Sequence, residues 1–389
     1  MSEVLIVKAE AVSALGETRA ETWERLLAGE SAAAPITHFN SDPYYCKTAA
    51  AVKGLTGPTE TPGRLPQLLH KLFKALPATL PKSCNLIGST LKGAIDQQEL
   101  IWRNPESAGR NDPTPEETLP LPLSAAELFT AHFSLRRTGL TLNAACASST
   151  LALSRAAARI ASGFDDCILV WGAEIISEFV FAGFASIKAM TPDCCRPFDQ
   201  RRNGLMLGEG AAALLLMSAE RAKTESLKPL AKISGWGVAN DAVHLTAPAA
   251  DGHGLYAACR RALQRAVLKP EAIAAINAHG TATIHNDTME IAAFKELFWK
   301  NKDAKRIPLH SVKGALGHTL GAAGALEATI AINSLQEQRL PPTVGLTQPE
   351  IEICNQVAPE IQPFSGDHLL LTNSGFGGVN AALILSINF

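Results

Sequence analysis

The sequence predicts an α/β protein built from two similar halves, and three observations carry that prediction. Short, continuously apolar runs alternate with helical patterns along most of the chain, as expected for a sheet covered on both faces. From about Lys232 onward the same rhythm starts again, the mark of an internal duplication. The 389 residues suffice for one large duplicated unit or for two or three domains. A content of 47% apolar and 19% charged residues is that of a well-packed globular chain.

Composition also excludes several function classes. A net charge of −2 lacks the basic surplus of a nucleic-acid binder. No run approaches the ~20 apolar residues that a membrane span needs. The opening Met1-Ser2-Glu3-Val4 has no charged region followed by a long apolar core, so no secretory signal is expected and the chain is read as cytoplasmic. Its 8 cysteines lack metal-ligand spacing; adjacent Cys194 and Cys195 do not make a zinc pair. Reduced thiols and no bound metal are the expectation.

Taken in order, Val4-Leu5-Ile6-Val7 reads as a first strand, and Glu17 to Leu27 as a helix closed by Gly29. Leu68 to Lys74 reads as a short amphipathic helix in a stretch rich in proline and basic residues, and Asn85 to Gly88 as a buried strand. Arg103 to Pro122, with little apolar content, reads as a surface loop. Gly139 to Asn143 is a strand that delivers Cys146 to a helix from about Ser148 to Ser162, with Gly163 suited to the left-handed position after its end. Cys167 to Ala173 and Ala211 to Met217 are further strands. The second half offers strands at Ile273 to Asn277, Pro308 to Val312, Leu369 to Asn373 and Ala381 to Leu385. Thr319 to Leu335 reads as one helix; its glycines and alanines imply close packing, since each glycine costs a helix about 1 kcal/mol against alanine.

The stretch Leu142 to Thr150 concentrates the chemistry. Cys146 stands among small residues at the head of a helix, one of the settings where a thiol pKa falls and a nucleophilic thiolate forms. Taken alone such a cysteine is more often a small buried hydrophobe. Five later stretches change that balance: His279-Gly280-Thr281-Ala282-Thr283, Lys313-Gly314-Ala315-Leu316-Gly317-His318, Gly375-Phe376-Gly377-Gly378, and, between them and the cysteine, Arg196-Pro197-Phe198-Asp199 and Leu207-Gly208-Glu209-Gly210. Each is weak alone; in this order they form a specific set.

Together with Trp23 to Gly29, the set resembles the β-ketoacyl-[acyl carrier protein] synthases of the two-histidine type, members of the thiolase superfamily, over nearly the whole chain. The resemblance implies a thiolase-like fold: two halves, residues 1–230 with the nucleophile and 231–389 with the histidines, lysine and glycine loop. Each would contribute a mixed five-stranded sheet to α-β-α-β-α layers. It also implies decarboxylative Claisen condensation of a Cys146-bound acyl group with malonyl-[acyl carrier protein]. The growing chain would arrive on the carrier's phosphopantetheine arm, with no cofactor of the enzyme's own. In this resemblance Cys146, His279, His318 and Lys313 are catalytic, and the backbone N–H groups of Cys146 and Phe376 form the oxyanion hole. Glu290 is the ionic partner of Lys313; Thr281 and Thr283 hold the arm; Phe376 gates the acyl channel and Phe198 lines it. Arg202 docks the acidic carrier protein, with Arg64, Lys71 and Lys74 as weaker candidates, and His285 follows the histidine motif without an assigned role. The partners implied are the carrier protein and a second subunit, giving a homodimer or a heterodimer with a related synthase-like chain.

Two other readings compete. A non-catalytic chain-length-factor-like subunit shares the fold, but such partners typically lack the nucleophile that Cys146 supplies. A thiolase would place a second cysteine in the C-terminal glycine loop, where Phe376 stands, and starter-type synthases with His and Asn are disfavoured by His318. Three departures point to a specialised secondary-metabolite or polyene enzyme. Lys8-Ala9-Glu10-Ala11 replaces Thr-Gly-x-Gly, the segment from His38 to Ile87 is short, and Ile284-His285-Asn286 replaces Pro-x-Gly.

Overall fold

The structure, a computed structural model, describes residues 2–57, 63–103, 123–300 and 306–388. Residues 104–122, which carry most of the expected surface loop, lie outside the described residues.

Ten strands organise the chain: β1 (Val4–Ser13), β2 (Asn85–Ser89), β3 (Leu140–Leu142), β4 (Cys167–Glu174), β5 (Gly210–Ser218), β6 (Ala231–Asn240), β7 (Ile273–Asn277), β8 (Leu309–His310), β9 (His368–Gly375) and β10 (Val379–Ser386). Their spatial order is β8-β7-β9-β10-β6-β1-β5-β4-β2-β3. In the first half β2 runs parallel to β3 and β4, while β4, β5 and β1 pair antiparallel in turn. The second half repeats this: β7 is parallel to β8 and β9, while β9, β10 and β6 are antiparallel. Each strand of the first half therefore has a counterpart five strands later. Each half thus contributes the mixed five-stranded unit that the resemblance implied, and the two units are joined. Leu5 pairs with Lys232 and Ile6 with Ala231, joining β1 to β6 and the units into one ten-stranded network.

Helices Ser148–Ala161 and Ala323–Glu337 form the middle layer and pack against strands of both halves. Every residue from Ala323 to Leu335 is buried, so this helix has no polar face to turn to water. Its glycines have the packing cause that the sequence suggested: a Cβ on Gly324 would sit 1.9 Å from Thr150 Oγ1. One continuous core of alanine, leucine and isoleucine fills this layer. Helices Arg64–Ala75 and Ala125–His132 cover the outer face of the first half, and His253–Ala266 and Ile284–Phe298 that of the second. The result is the α-β-α-β-α layering of a thiolase-like fold.

Several local expectations shift. β1 extends to Ser13, so Lys8 to Ala11 lie inside the strand instead of after it. The expected helix from Thr319 divides into a 3-10 turn, Leu320–Ala322, and the helix proper. Gly163 has φ 73° just past the helix Ser148–Ala161, as its position suggested.

Candidate active site

Four loops meet at a cavity of about 450 Å³, each leaving the end of a strand or of a short helix. Cys146 comes from the turn between β3 and its helix, where Ala145 before it has φ 48°, and it lines the cavity. His279 follows β7, His318 follows the short helix Lys313–Leu316, and Phe376 joins β9 to β10. The sulfur and one ring nitrogen from each histidine lie within 4.8 Å of one another, and all three residues are buried. The imidazole rings meet edge to face at 5.1 Å.

Burial pushes the Cys146 thiol up to about 12, against the lowering pull of the Lys313 ammonium. The helix-head setting had suggested a lowered thiol pKa; desolvation of the sulfur outweighs it, and the resting group is a thiol. Backbone N–H groups of Cys146 itself and of Phe376 also pull the thiol pKa down, so both donors lie close to the sulfur. The glycine loop can come this close because Gly377 and Gly378 take φ of 85° and 77°. His279 and His318 are both held well below the ordinary histidine range by burial and by Lys313, so both are neutral.

Lys313 is 1% exposed and makes its ion pair with Glu327 at 2.5 Å, not with Glu290 as the resemblance implied. Its ammonium also donates to the His279 carbonyl at 2.5 Å. Glu290 is engaged elsewhere: its two oxygens accept the backbone N–H groups of His279 (2.7 Å) and Gly280 (2.6 Å). The Asn286 amide adds a hydrogen bond at 2.9 Å. With both oxygens so occupied, Glu290 anchors the histidine loop. Burial pushes its pKa up to about 8, helped by neighbouring Asp287.

Thr281 and Thr283 line the cavity wall with their hydroxyls 2.9 Å apart. Phe376 is 38% exposed at the cavity wall and stacks on Phe184 at 6.0 Å, a position suited to gating. His285 and Ile284 are exposed on the rim.

Two assignments fail on burial. Phe198 is 0% exposed and belongs to the core of the second half, where its backbone N–H bonds Asp287 and its ring lies against Gly280. It braces the histidine loop and does not line the cavity. Arg202 is likewise buried, its guanidinium taken up by Glu350, the Asp199 carbonyl and Thr288. A guanidinium so engaged presents nothing to an incoming protein. Arg64 is buried in a bidentate pair with Glu209, and Lys71 is paired with Glu17; neither these nor Lys74 lines the cavity. The lysine at the cavity rim is Lys188, which is exposed and stands in no motif.

Sequence reasoning also missed Glu327, Asn373 and the role of Leu207-Gly208-Glu209-Gly210. Glu327 lies fourteen residues after Lys313 on the next helix, and a buried acid in an otherwise apolar helix was the available signal. The Leu207 to Gly210 segment clamps the second histidine: Gly208 N–H donates to the His318 carbonyl (3.0 Å) and His318 N–H to the Met206 carbonyl (2.6 Å). Asn373 donates its amide N–H to His279 Nδ1 at 3.1 Å. Cysteine and two histidines at this spacing could hold a soft metal ion. A ligated imidazole, however, needs an acceptor for its other nitrogen, and His279 meets a donor there. The arrangement fits acyl transfer: a thiol, two neutral imidazoles and two backbone donors around one point.

Comparison with known proteins agrees with this geometry. Residues 84–222 match the beta-ketoacyl synthase N-terminal domain, and residues 230–347 the beta-ketoacyl synthase C-terminal domain. The chain is 32% identical over 428 residues to a 3-oxoacyl-[acyl-carrier-protein] synthase 2 of Rhizobium meliloti (strain 1021), with 99% of each chain covered. Among solved structures, a beta-ketoacyl synthase from Burkholderia phymatum STM815 superposes with a TM-score of 0.85 at 28% identity, covering 100% of both chains. The ishigamide ketosynthase/chain length factor gives the same TM-score, identity and coverage. The chain belongs to the β-ketoacyl synthase family.

Proposed function

We propose that this protein elongates acyl chains by decarboxylative Claisen condensation, joining a Cys146-bound acyl group to malonyl-[acyl carrier protein] to give a 3-oxoacyl-[acyl carrier protein]. The convergence of Cys146, His279 and His318 within 4.8 Å beneath one cavity carries the reading. In the first stage the carrier's phosphopantetheine arm enters past Thr281 and Thr283, and the sulfur attacks the acyl thioester. The S–H proton passes to His318, whose ring nitrogens have no hydrogen-bond partner among the described residues, and from there to the departing arm thiolate. In the second stage the malonyl C–C bond breaks, carbon dioxide leaves, and the electron pair moves onto the thioester as an enolate. Imidazole N–H groups of His279 and His318 stabilise its oxygen. The carbanion attacks the Cys146 thioester, and the tetrahedral oxyanion sits against the Cys146 and Phe376 N–H groups. Collapse expels the Cys146 thiolate, which takes up one proton from solvent to restore the thiol. Loss of one oxyanion-hole donor typically costs about 3–4 kcal/mol of barrier.

The residues favour this over the non-catalytic subunit, because Cys146, His279 and His318 are all present and lie together at one cavity. Resemblance to the ishigamide ketosynthase/chain length factor supports pairing with a second synthase-like subunit, either identical or related. Lys188 on the rim is the cation placed to meet an acidic carrier. No described helix is long and apolar enough to cross a membrane, and cytoplasmic work beside a soluble carrier protein is part of this reading. Acyl-loaded and malonyl-loaded carrier protein, mixed with the enzyme, should yield carbon dioxide and a carrier two carbons heavier with a 3-oxo group. Carbon dioxide release should collapse in His279→Ala and His318→Ala; full release in both would refute the assigned roles.

A further inference from the structure

Asn373 lies on β9, fully buried, and touches three parts of the site at once. Its Nδ2 donates to His279 Nδ1 at 3.1 Å and to Glu327 Oε2 at 2.8 Å. Its Oδ1 receives the hydroxyl of Thr150, on the nucleophile helix. These partners fix which end of the amide is which. Glu327, ion-paired to Lys313, presents an acceptor and needs a donor opposite it, so the nitrogen must face the carboxylate. The two hydrogens of that nitrogen are then shared between Glu327 and the imidazole.

We propose that Asn373 is a positioning residue that holds His279 with its proton on Nε2, the nitrogen left for the cavity. An amide nitrogen can only donate, so Nδ1 must accept and carries no hydrogen. The ring is neutral, since burial and the nearby Lys313 ammonium both disfavour a second proton. His279 therefore offers the cavity one N–H donor and no acceptor, which suits the enolate oxygen. His318 meets no such constraint on either nitrogen among the described residues and is free to take and return the cysteine proton. Asn373 thus divides the labour between two imidazoles that are otherwise alike in burial and charge. The link through Thr150 ties the tautomer to the helix that carries Cys146.

This inference rests on the proposed condensation, but its first test needs no turnover. In the full-length protein labelled with 15N-histidine, the His279 signals, assigned by their absence in His279→Gln, should show a protonated Nε2 and an unprotonated Nδ1. A proton on Nδ1 would overturn the proposal, whatever the reaction is. Asn373→Leu, close in volume but without donors, should relax this preference. It should also lower kcat for malonyl-carrier decarboxylation at least tenfold, leaving KM and the rate of Cys146 acylation within twofold. Thr150→Val, which frees the amide to rotate, should give a weaker form of the same split. Wild-type decarboxylation in Asn373→Leu, or equal loss of both half-reactions, would remove Asn373 from the role; should that variant not fold, the wild-type spectrum still decides.

Discussion

Replacing Lys313 by methionine should destabilise the protein in a way that depends on pH. Lys313 and Glu327 are 1% and 2% exposed and 2.5 Å apart. Removing one member of such a pair leaves a buried charge unpaired, at a cost of about 3–5 kcal/mol. Burial already raises the Glu327 pKa while Lys313 pulls it down; without the ammonium it rises further. An unfolded glutamate titrates near ~4.3. Between that value and the raised folded one, the folded variant holds a proton that the unfolded chain has lost. Its stability is therefore retained at low pH and falls as pH rises, by about 1.4 kcal/mol per pH unit. Urea unfolding at pH 5 and pH 8 should show a deficit relative to the wild type that widens toward pH 8. Lys313→Met with Glu327→Gln should recover much of it, giving a coupling of about 1–3 kcal/mol. A deficit that ignores pH, together with an additive double variant, would refute the pairing.

Other consequences follow from burial. Glu174 and Glu290 are both pushed up to about 8 by desolvation, so they favour the folded state below about pH 4.5 and lose that contribution as pH climbs toward 8. Urea midpoints should fall across that interval, with a shallower slope in Glu174→Gln; midpoints that rise would contradict the assignment. Arg202→Glu should act on stability, costing about 3–5 kcal/mol by leaving Glu350 and Asp287 beside a like charge, while carrier-protein affinity of the folded fraction stays unchanged in titration calorimetry. Gly324→Ala should cost about 1–3 kcal/mol from overpacking, because the new methyl meets Thr150; a gain in thermal stability would mean that the middle helices can separate.

Much of this was legible in the chain because it is local. The strands before His279 and Phe376 carry buried apolar runs, and the motifs at their ends name the candidate reacting groups. The double αβ rhythm revealed the duplication. Non-local pairing was not legible. Whether Lys313 meets Glu290 or Glu327 depends on how two helices pack across the middle layer, and spacing alone carries no such information. Arg202 and Phe198 follow a recognisable motif, yet their burial is decided by Asp287, Thr288 and Glu350, which lie more than eighty residues away in sequence. The thiol pKa departs from expectation for the same reason, since a helix start is visible in sequence and desolvation is not. Asn373 looks like an ordinary strand residue; only the fold places its amide between an imidazole and a carboxylate.

The central claim is that Cys146 carries the growing chain as a thioester. Intact-protein mass spectrometry after mixing the enzyme with a panel of acyl-carrier proteins tests it directly. The account predicts a mass gain equal to one acyl group, localised to the Cys146 peptide and abolished in Cys146→Ala. No gain with any acyl donor, or a gain that survives Cys146→Ala, would contradict it.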